Sequence, residues 1–221
     1  MSTSFTRRAA LAGIAALGAV GRVDAQPAPS AGACVLTPRS TEGPFYFDPG
    51  LLRADVTEGR PGAPLELALE VVEARGCAPL RGALVEIWHA DAFGAYSGYA
   101  GQSGGSTKGE TFLRGALLAD GDGRVRFRTI WPGWYPGRVT HVHFKVRLDA
   151  RNLLTGQLYF PDEVNRRIYA SAPPYAARQG RPQMTNDADG LFRRGGSNAL
   201  AAVEEKGDRP VASLRLAVDR S

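Results

Sequence analysis

The sequence predicts an all-β protein, an antiparallel β-sandwich with long loops and few short helices. Three observations point there. Apolar residues alternate with period two in several short runs. Those runs are separated by turns rich in glycine and proline, of which the 221 residues contain 27 and 15. Little of the chain shows the 3.6-residue rhythm of an amphipathic helix, and short strands with few helices fit two packed sheets. A chain of this length, 43% hydrophobic, can bury one core without help from disulfides.

Residues 1–25 stand apart from that fold. Arg7-Arg8 precede an apolar run from Ala9 to Val20, and Val23-Asp24-Ala25 offers small residues where a signal peptidase cuts. This order predicts a twin-arginine export signal, a mature chain starting near Gln26, and a periplasmic or secreted location. That route carries folded proteins, often with a metal already inserted. Residues 26–40 read as an N-terminal tether, loosest from Gln26 to Ala33, and residues 41–221 as the sandwich domain. Beyond the leader no stretch is apolar enough to span a bilayer. Cys34 and Cys77 are the only cysteines, and in an oxidising compartment they are candidates for one disulfide, with two buried thiols the alternative.

The strands follow in order. Leu65, Leu67, Leu69 and Val71 alternate with partners of the opposite face. Ala83 to Trp88 is a second strand, and Arg124 to Thr129 a third, entered through the hairpin turn Asp120-Gly121-Asp122-Gly123. That turn resembles the start of a calcium loop but lacks the later ligands. Ser97 to Gly109, rich in glycine and serine, reads as a mobile loop. His141 to Leu148 puts Val142, Phe144, Val146 and Leu148 on one face and His141, His143, Lys145 and Arg147 on the other. Leu158 to Phe160 and Val211 to Val218 are further short strands, and Ala199 to Lys206 suggests a helix. The formal net charge is +5, part of it in the leader, without a Lys/Arg cluster interleaved with aromatics, so nucleic acid is not an expected partner.

The chemistry concentrates in WYPGRVTHVHF, residues 134–144, which holds two of the three histidines. His-x-His on a strand points both imidazoles the same way, as adjacent metal ligands require, and neutral imidazole suits iron, copper, zinc or nickel. Glu86 and Asp91 are candidate carboxylates by position, but nothing in the pattern places either on the site. The nearby oxygen donor is Tyr135, directed by the Pro132-Gly133-Trp134-Tyr135-Pro136-Gly137 turn. A phenolate is a hard anionic donor whose pKa a trivalent cation drives far below about 10.

From TEGPFY at 41–46 onward the chain resembles the intradiol ring-cleavage dioxygenases, of the catechol and protocatechuate 3,4-dioxygenase type. The blocks that carry this are LRGALVEIWHADAFGAY at 80–96, Thr129 to Phe144, and TGQLYF at 155–160, and their ordered combination is highly specific. The resemblance implies a non-haem Fe(III) held by Tyr96, Tyr135, His141 and His143. It makes Arg138 an active-site arginine, Gln157 a residue lining the site, and Trp134 a wall of an aromatic pocket. It implies a catechol-type substrate cleaved with O2 between its hydroxyl-bearing carbons to a cis,cis-muconate-type dicarboxylate. Tyr135 would leave the metal as a neutral phenol when the diol binds, and Arg138 would favour the charge developing on it. Only five residues separate Tyr135 from His141, shorter than in the protocatechuate enzymes and like the exported branch. The N-terminal helical dimerisation region of catechol 1,2-dioxygenases has no counterpart, and a homo-oligomer stays open.

Alternatives stand beside this reading. Tyr99 competes with Tyr96 as a ligand, Tyr46 could face the pocket, and His89 reads as a structural residue of its strand. A non-catalytic binding module, or a zinc or copper site on the same scaffold, are the competing functions. Which diol is preferred is open.

Overall fold

A computed structural model of the chain describes Met1 and residues 34–220, other than 103–104, 179–182 and 208. The export signal and the tether up to residue 33 lie outside the described residues. Two four-stranded sheets pack face to face. The first contains β1 (Pro64–Glu73), β4 (Arg124–Ile130), β7 (Ala202–Lys206) and β8 (Arg209–Val218), in the order β4-β1-β8-β7. The second contains β2 (Leu84–Trp88), β3 (Arg114–Leu118), β5 (His141–Leu148) and β6 (Arg151–Tyr159), in the order β3-β2-β5-β6. Among the described residues one α-helix, α1 (Asp162–Ser171), follows β6, with Asp162 and Glu163 in its first turn, where carboxylates favour the positive end of the helix dipole.

Among the eight described strands pairing is antiparallel, except that β1 pairs with β8 in parallel, Glu66 to Glu73 against Val211 to Val218. The first sheet is therefore mixed. The expected helix at Ala199–Lys206 is corrected. A 3-10 turn ends at Ala199, and Ala202–Lys206 forms the edge strand β7 against β8. Its Ala, Glu and Lys residues have helical propensity, but cross-strand pairing with β8 overrides that weak preference. The short strand expected at Leu158–Phe160 is the end of the nine-residue β6. β3 and α1 carried no clear pattern: RGALL does not alternate, and α1 buries only Val164, Asn165 and Tyr169.

Alternation built the core as read. Leu65, Leu67, Leu69 and Val71 of β1 meet Val85 and Ile87 of β2 and Val142, Phe144 and Val146 of β5 in one buried cluster. Each such side chain contributes about 1.5–3 kcal/mol of apolar burial. The opposite face of β5 is where the sandwich departs from a solvated surface: His141, His143 and Lys145 are buried there. Residues 41–48 lie over His143 and Lys145, clamped down by the Lys145–Glu42 ion pair of 2.8 Å and by Arg147, which reaches the Tyr46 hydroxyl at 2.6 Å as well as Glu86 of β2 at 3.0 Å. Residues 34–40, placed in the tether by sequence, run along the sandwich. Cys34 is disulfide-bonded to Cys77, and Thr37 and Ser40 donate backbone hydrogen bonds to Ala217 and Thr155. Among the described residues no helix is long and apolar enough to cross a membrane.

Candidate metal centre

Four side chains converge on the covered face of β5. His141 and His143 are presented by the strand itself, their Nε2 atoms 3.1 Å apart. The Tyr96 hydroxyl lies 3.3 Å from His141 Nε2, the Tyr135 hydroxyl 3.1 Å from it, and the two hydroxyls 3.4 Å from each other. Donors each about 2.0–2.1 Å from one first-row cation stand roughly 3 Å apart, so these spacings suit a shared ion. Among the described residues no cluster of three or more His, Cys, Asp or Glu side chains is placed to hold a metal. A cation here would depend on the tyrosines.

Local chemistry fixes each donor. His141 Nδ1 bonds the Val139 carbonyl at 2.6 Å, which puts the proton on Nδ1 and turns the Nε2 lone pair inward. His143 lies flat on Trp88, ring centres 4.9 Å apart at 9°. Tyr96 sits between Phe45, stacked at 4.7 Å, and a loop that holds its backbone: Gln102 accepts from its N–H at 2.8 Å, and Thr107 Oγ1 donates to its carbonyl at 2.6 Å. The described part of the loop expected to be mobile is thus an anchor for Tyr96. Asp91 is consumed in the same task. Its Oδ1 accepts from Phe93 and Ala95 N–H at 2.9 and 3.0 Å, and it is ion-paired with Arg60.

Two glycines let the tyrosine-bearing segments meet. Gly94 has φ +88°, and a Cβ there would lie 2.4 Å from the Trp134 carbonyl oxygen and 3.2 Å from Tyr135 Cβ. A Cβ on Gly133 would lie 2.4 Å from the Asp91 carbonyl oxygen. Both positions require the bare backbone that brings Tyr135 beside Tyr96.

The other sequence candidates separate cleanly. Tyr99 turns away, its hydroxyl donating to the Tyr46 carbonyl at 2.9 Å. Tyr46 bonds Glu86 at 3.0 Å, so both are engaged away from the four donors. His89 uses both ring nitrogens, on the Ala90 carbonyl and Thr129 Oγ1. Trp134 is buried against Tyr169 under the Arg178 guanidinium, and with Tyr135 and Phe93 it also borders a cavity of about 540 Å³. Arg138 reaches within 3.5 Å of His141 Nε2 and donates to Gln157 Oε1, while Gln157 Nε2 donates to the Thr41 carbonyl at 2.9 Å. Sequence reading missed Asp189. This buried carboxylate accepts from Arg138 Nε at 2.8 Å and Val139 N–H at 3.0 Å. Its signal, one of two aspartates in NDADG some fifty residues from Arg138, was indistinguishable from turn chemistry.

Burial governs the titration of the site. It pushes the Tyr96 hydroxyl well up, helped by the Tyr135 hydroxyl beside it. Burial raises Tyr135 too, though the contact with Tyr96 and the nearby Arg138 oppose it. Burial, then Arg138, lowers His141 to about 3, and burial, then His141, holds His143 well below its ordinary value. Alone, the site is two neutral phenols and two neutral imidazoles. A bound cation reverses this logic for the phenols and exploits it for the imidazoles.

A family model described as Dioxygenase matches residues 41–180. The chain belongs to the intradiol ring-cleavage dioxygenase family. Catechol 1,2-dioxygenase 1 of Acinetobacter lwoffii is 32% identical over 144 residues, 55% of this chain and 45% of that protein. The protocatechuate 3,4-dioxygenase beta chain of Burkholderia cepacia is 32% identical over 154 residues, 66% of this chain and 62% of that one. The chain thus spans about half the length of the curated relatives it matches. Among solved structures, an intradiol ring-cleavage dioxygenase from Tetranychus urticae superposes with a TM-score of 0.77 at 31% identity, over 84% of this chain and 95% of that one. The dioxygenase domain of a dioxygenase and carbohydrate-binding protein fusion from Streptomyces sp. SirexAA-E gives 0.61 at 31% identity, over 85% and 100%.

Proposed function

We propose that the chain is an exported non-haem Fe(III) dioxygenase that cleaves a catechol-type ring between its two hydroxyl-bearing carbons, using O2, to a cis,cis-muconate-type dicarboxylate. The observation that carries this reading is the convergence of two phenol oxygens and two imidazole nitrogens around His141 Nε2, which lies 3.1–3.3 Å from each of the other three, with the two hydroxyls 3.4 Å apart. The donor set fits a trivalent iron. Two hard phenolates would offset two of its three positive charges, and two imidazoles already held neutral complete the set. Tyr96, Tyr135, His141 and His143 would hold the iron, which would supply the charge transfer that makes a bound catecholate reactive toward O2.

The chain's own residues would do the rest. Tyr135, half-buried where Tyr96 is fully buried, is the phenol with room to leave the centre and take a proton from an arriving diol. Tyr96, pinned by Phe45, Gln102 and Thr107, is the one built to stay. Arg138 would lie beside charge developing on the substrate oxygens, a preorganised cation in a water-poor site. Residues 41–48 close over β5, and a side chain at Gly43 would begin only 3.4 Å from His143, so this segment would shape the roof over the diol.

The test is an oxygen-uptake screen over catechol, hydroxyquinol, protocatechuate and substituted diols, with ¹⁸O2 and product mass analysis. Ring opening to a dicarboxylate carrying both atoms of O2 is the expected result. Uptake with one atom incorporated, or a cleavage product that is an aldehyde acid, would overturn the reading.

A further inference from the structure

We infer that Asp189 is a positioning residue that sets two parts of the centre at once: the direction of the Arg138 guanidinium and, through the Val139 peptide, the tautomer of His141. Its Oδ2 accepts from Arg138 Nε at 2.8 Å and from Val139 N–H at 3.0 Å. The carbonyl of that same Val139 takes the His141 Nδ1 proton at 2.6 Å. One carboxylate oxygen therefore anchors two consecutive residues, Arg138 and Val139, on the approach to β5, and Val139, held by its N–H, presents its carbonyl to the imidazole.

The residue has to be aspartate. Oδ1 is also occupied, accepting from Leu191 N–H at 2.7 Å and Phe192 N–H at 3.3 Å. Four N–H donors thus face two oxygens, and only an ionised carboxylate offers acceptors on both sides. Asparagine would point its amide N–H₂ at Arg138 and Val139 in one flip state, or at Leu191 and Phe192 in the other. Asp189 is 1% exposed, so either mismatch would be buried. With Nε held, Nη2 of Arg138 donates to Gln157 Oε1, and Nη1 is left toward the His141 ring at 3.5 Å. Asp189 touches no donor atom of the centre itself, which distinguishes positioning from ligation.

The catalytic half of this inference rests on the ring-cleavage reading, and the structural half does not. The chain has three histidines, so long-range ¹H–¹⁵N spectra of the metal-free full-length protein resolve each tautomer directly. The expected result is His141 protonated at Nδ1, with a slowly exchanging Arg138 Nε–H signal. In Asp189→Asn the Arg138 signal exchanges away and His141 becomes a tautomer mixture. With iron added, kcat for catechol falls about 10–100-fold, the usual cost of losing an outer partner of a ligand, while KM moves much less. His141 protonated at Nε2 in the wild-type protein would overturn the inference, as would a variant whose two signals are unchanged. Should the Asn variant not fold, the wild-type spectra still decide. A wild-type protein inactive on every diol would sink the ring-cleavage reading alone, leaving the spectra to judge Asp189.

Discussion

At the scale of single residues the centre depends on which tyrosine faces β5. Period two made the two histidines and their shared face legible in the sequence, because a strand's geometry is fixed by alternation. Tyr135 was legible as the oxygen donor of its own turn, but Tyr96 only through resemblance, since a loop residue's direction depends on tertiary contacts such as those of Gln102 and Thr107 with the Tyr96 backbone. The separation of Tyr96 from Tyr99 can be tested. Tyr96→Phe removes a donor, and the iron-loaded protein is expected to lose its visible charge-transfer absorption and its turnover. Tyr99→Phe loses one hydrogen bond to the Tyr46 carbonyl, about 1 kcal/mol of stability, and should keep its colour. Arg138→Met, with its iron and colour retained, is expected to slow turnover by about 10²–10³. Equal effects of the two phenylalanines on the spectrum would reverse the assignment. An outer residue such as Asp189 escaped sequence reading because two of its partners, Arg138 and Val139, are some fifty positions away and nothing local marks them.

At the scale of elements, the strands read from alternation were those with one buried and one distinct face. β1, β4 and β5 alternate cleanly, and the apolar set of each lies in the core. β7 was misread because its composition favours a helix while its pairing with β8 does not. The parallel β1–β8 pairing was invisible because sequence periodicity carries no strand direction. β5 also shows how one element joins fold and site. Its outward residues first supply His141 and His143, then Lys145 and Arg147, which bind the 41–48 segment over them. Lys145 is buried with Glu42 at 2.8 Å and its ammonium 3.5 Å from the centre of the Tyr46 ring. Lys145→Met should therefore loosen the cover more than the sandwich. The expected outcome is faster limited proteolysis within 41–48 and a raised KM for catechol, with a stability loss of only about 1 kcal/mol because Glu42 is half-exposed. Unchanged proteolysis would show that the cover is held by other contacts.

At the scale of the whole molecule, burying polar rings under a strap makes stability depend on acid. His89 is buried, bonded on both ring nitrogens and lowered to about 4, first by burial and against the pull of the Ala90 carbonyl and Asp91. Its ordinary value is 6.5. Between those pH values the unfolded chain binds a proton that the folded chain refuses, so stability rises with pH across that window and is lost on acidification. His141, lowered to about 3, acts in the same direction when no metal is bound. Asp189 adds a further loss at lower pH. Burial would raise it, but the Val139 N–H and Arg138 hold it below the ordinary carboxylate range, so folding resists its protonation. The His89 shift alone is worth on the order of 3 kcal/mol by pH 4, a large share of the 5–15 kcal/mol that a domain of this kind possesses. Urea unfolding of the metal-free protein should therefore show a midpoint that is flat above about pH 7 and falls steadily from 6.5 toward 4. His89→Gln, which has no ring to charge, should start lower but fall less steeply over the same range. Parallel curves for the two proteins would mean that other groups carry the acid sensitivity and that the hydrogen-bonded His89 ring is not what ties this sandwich to neutral pH.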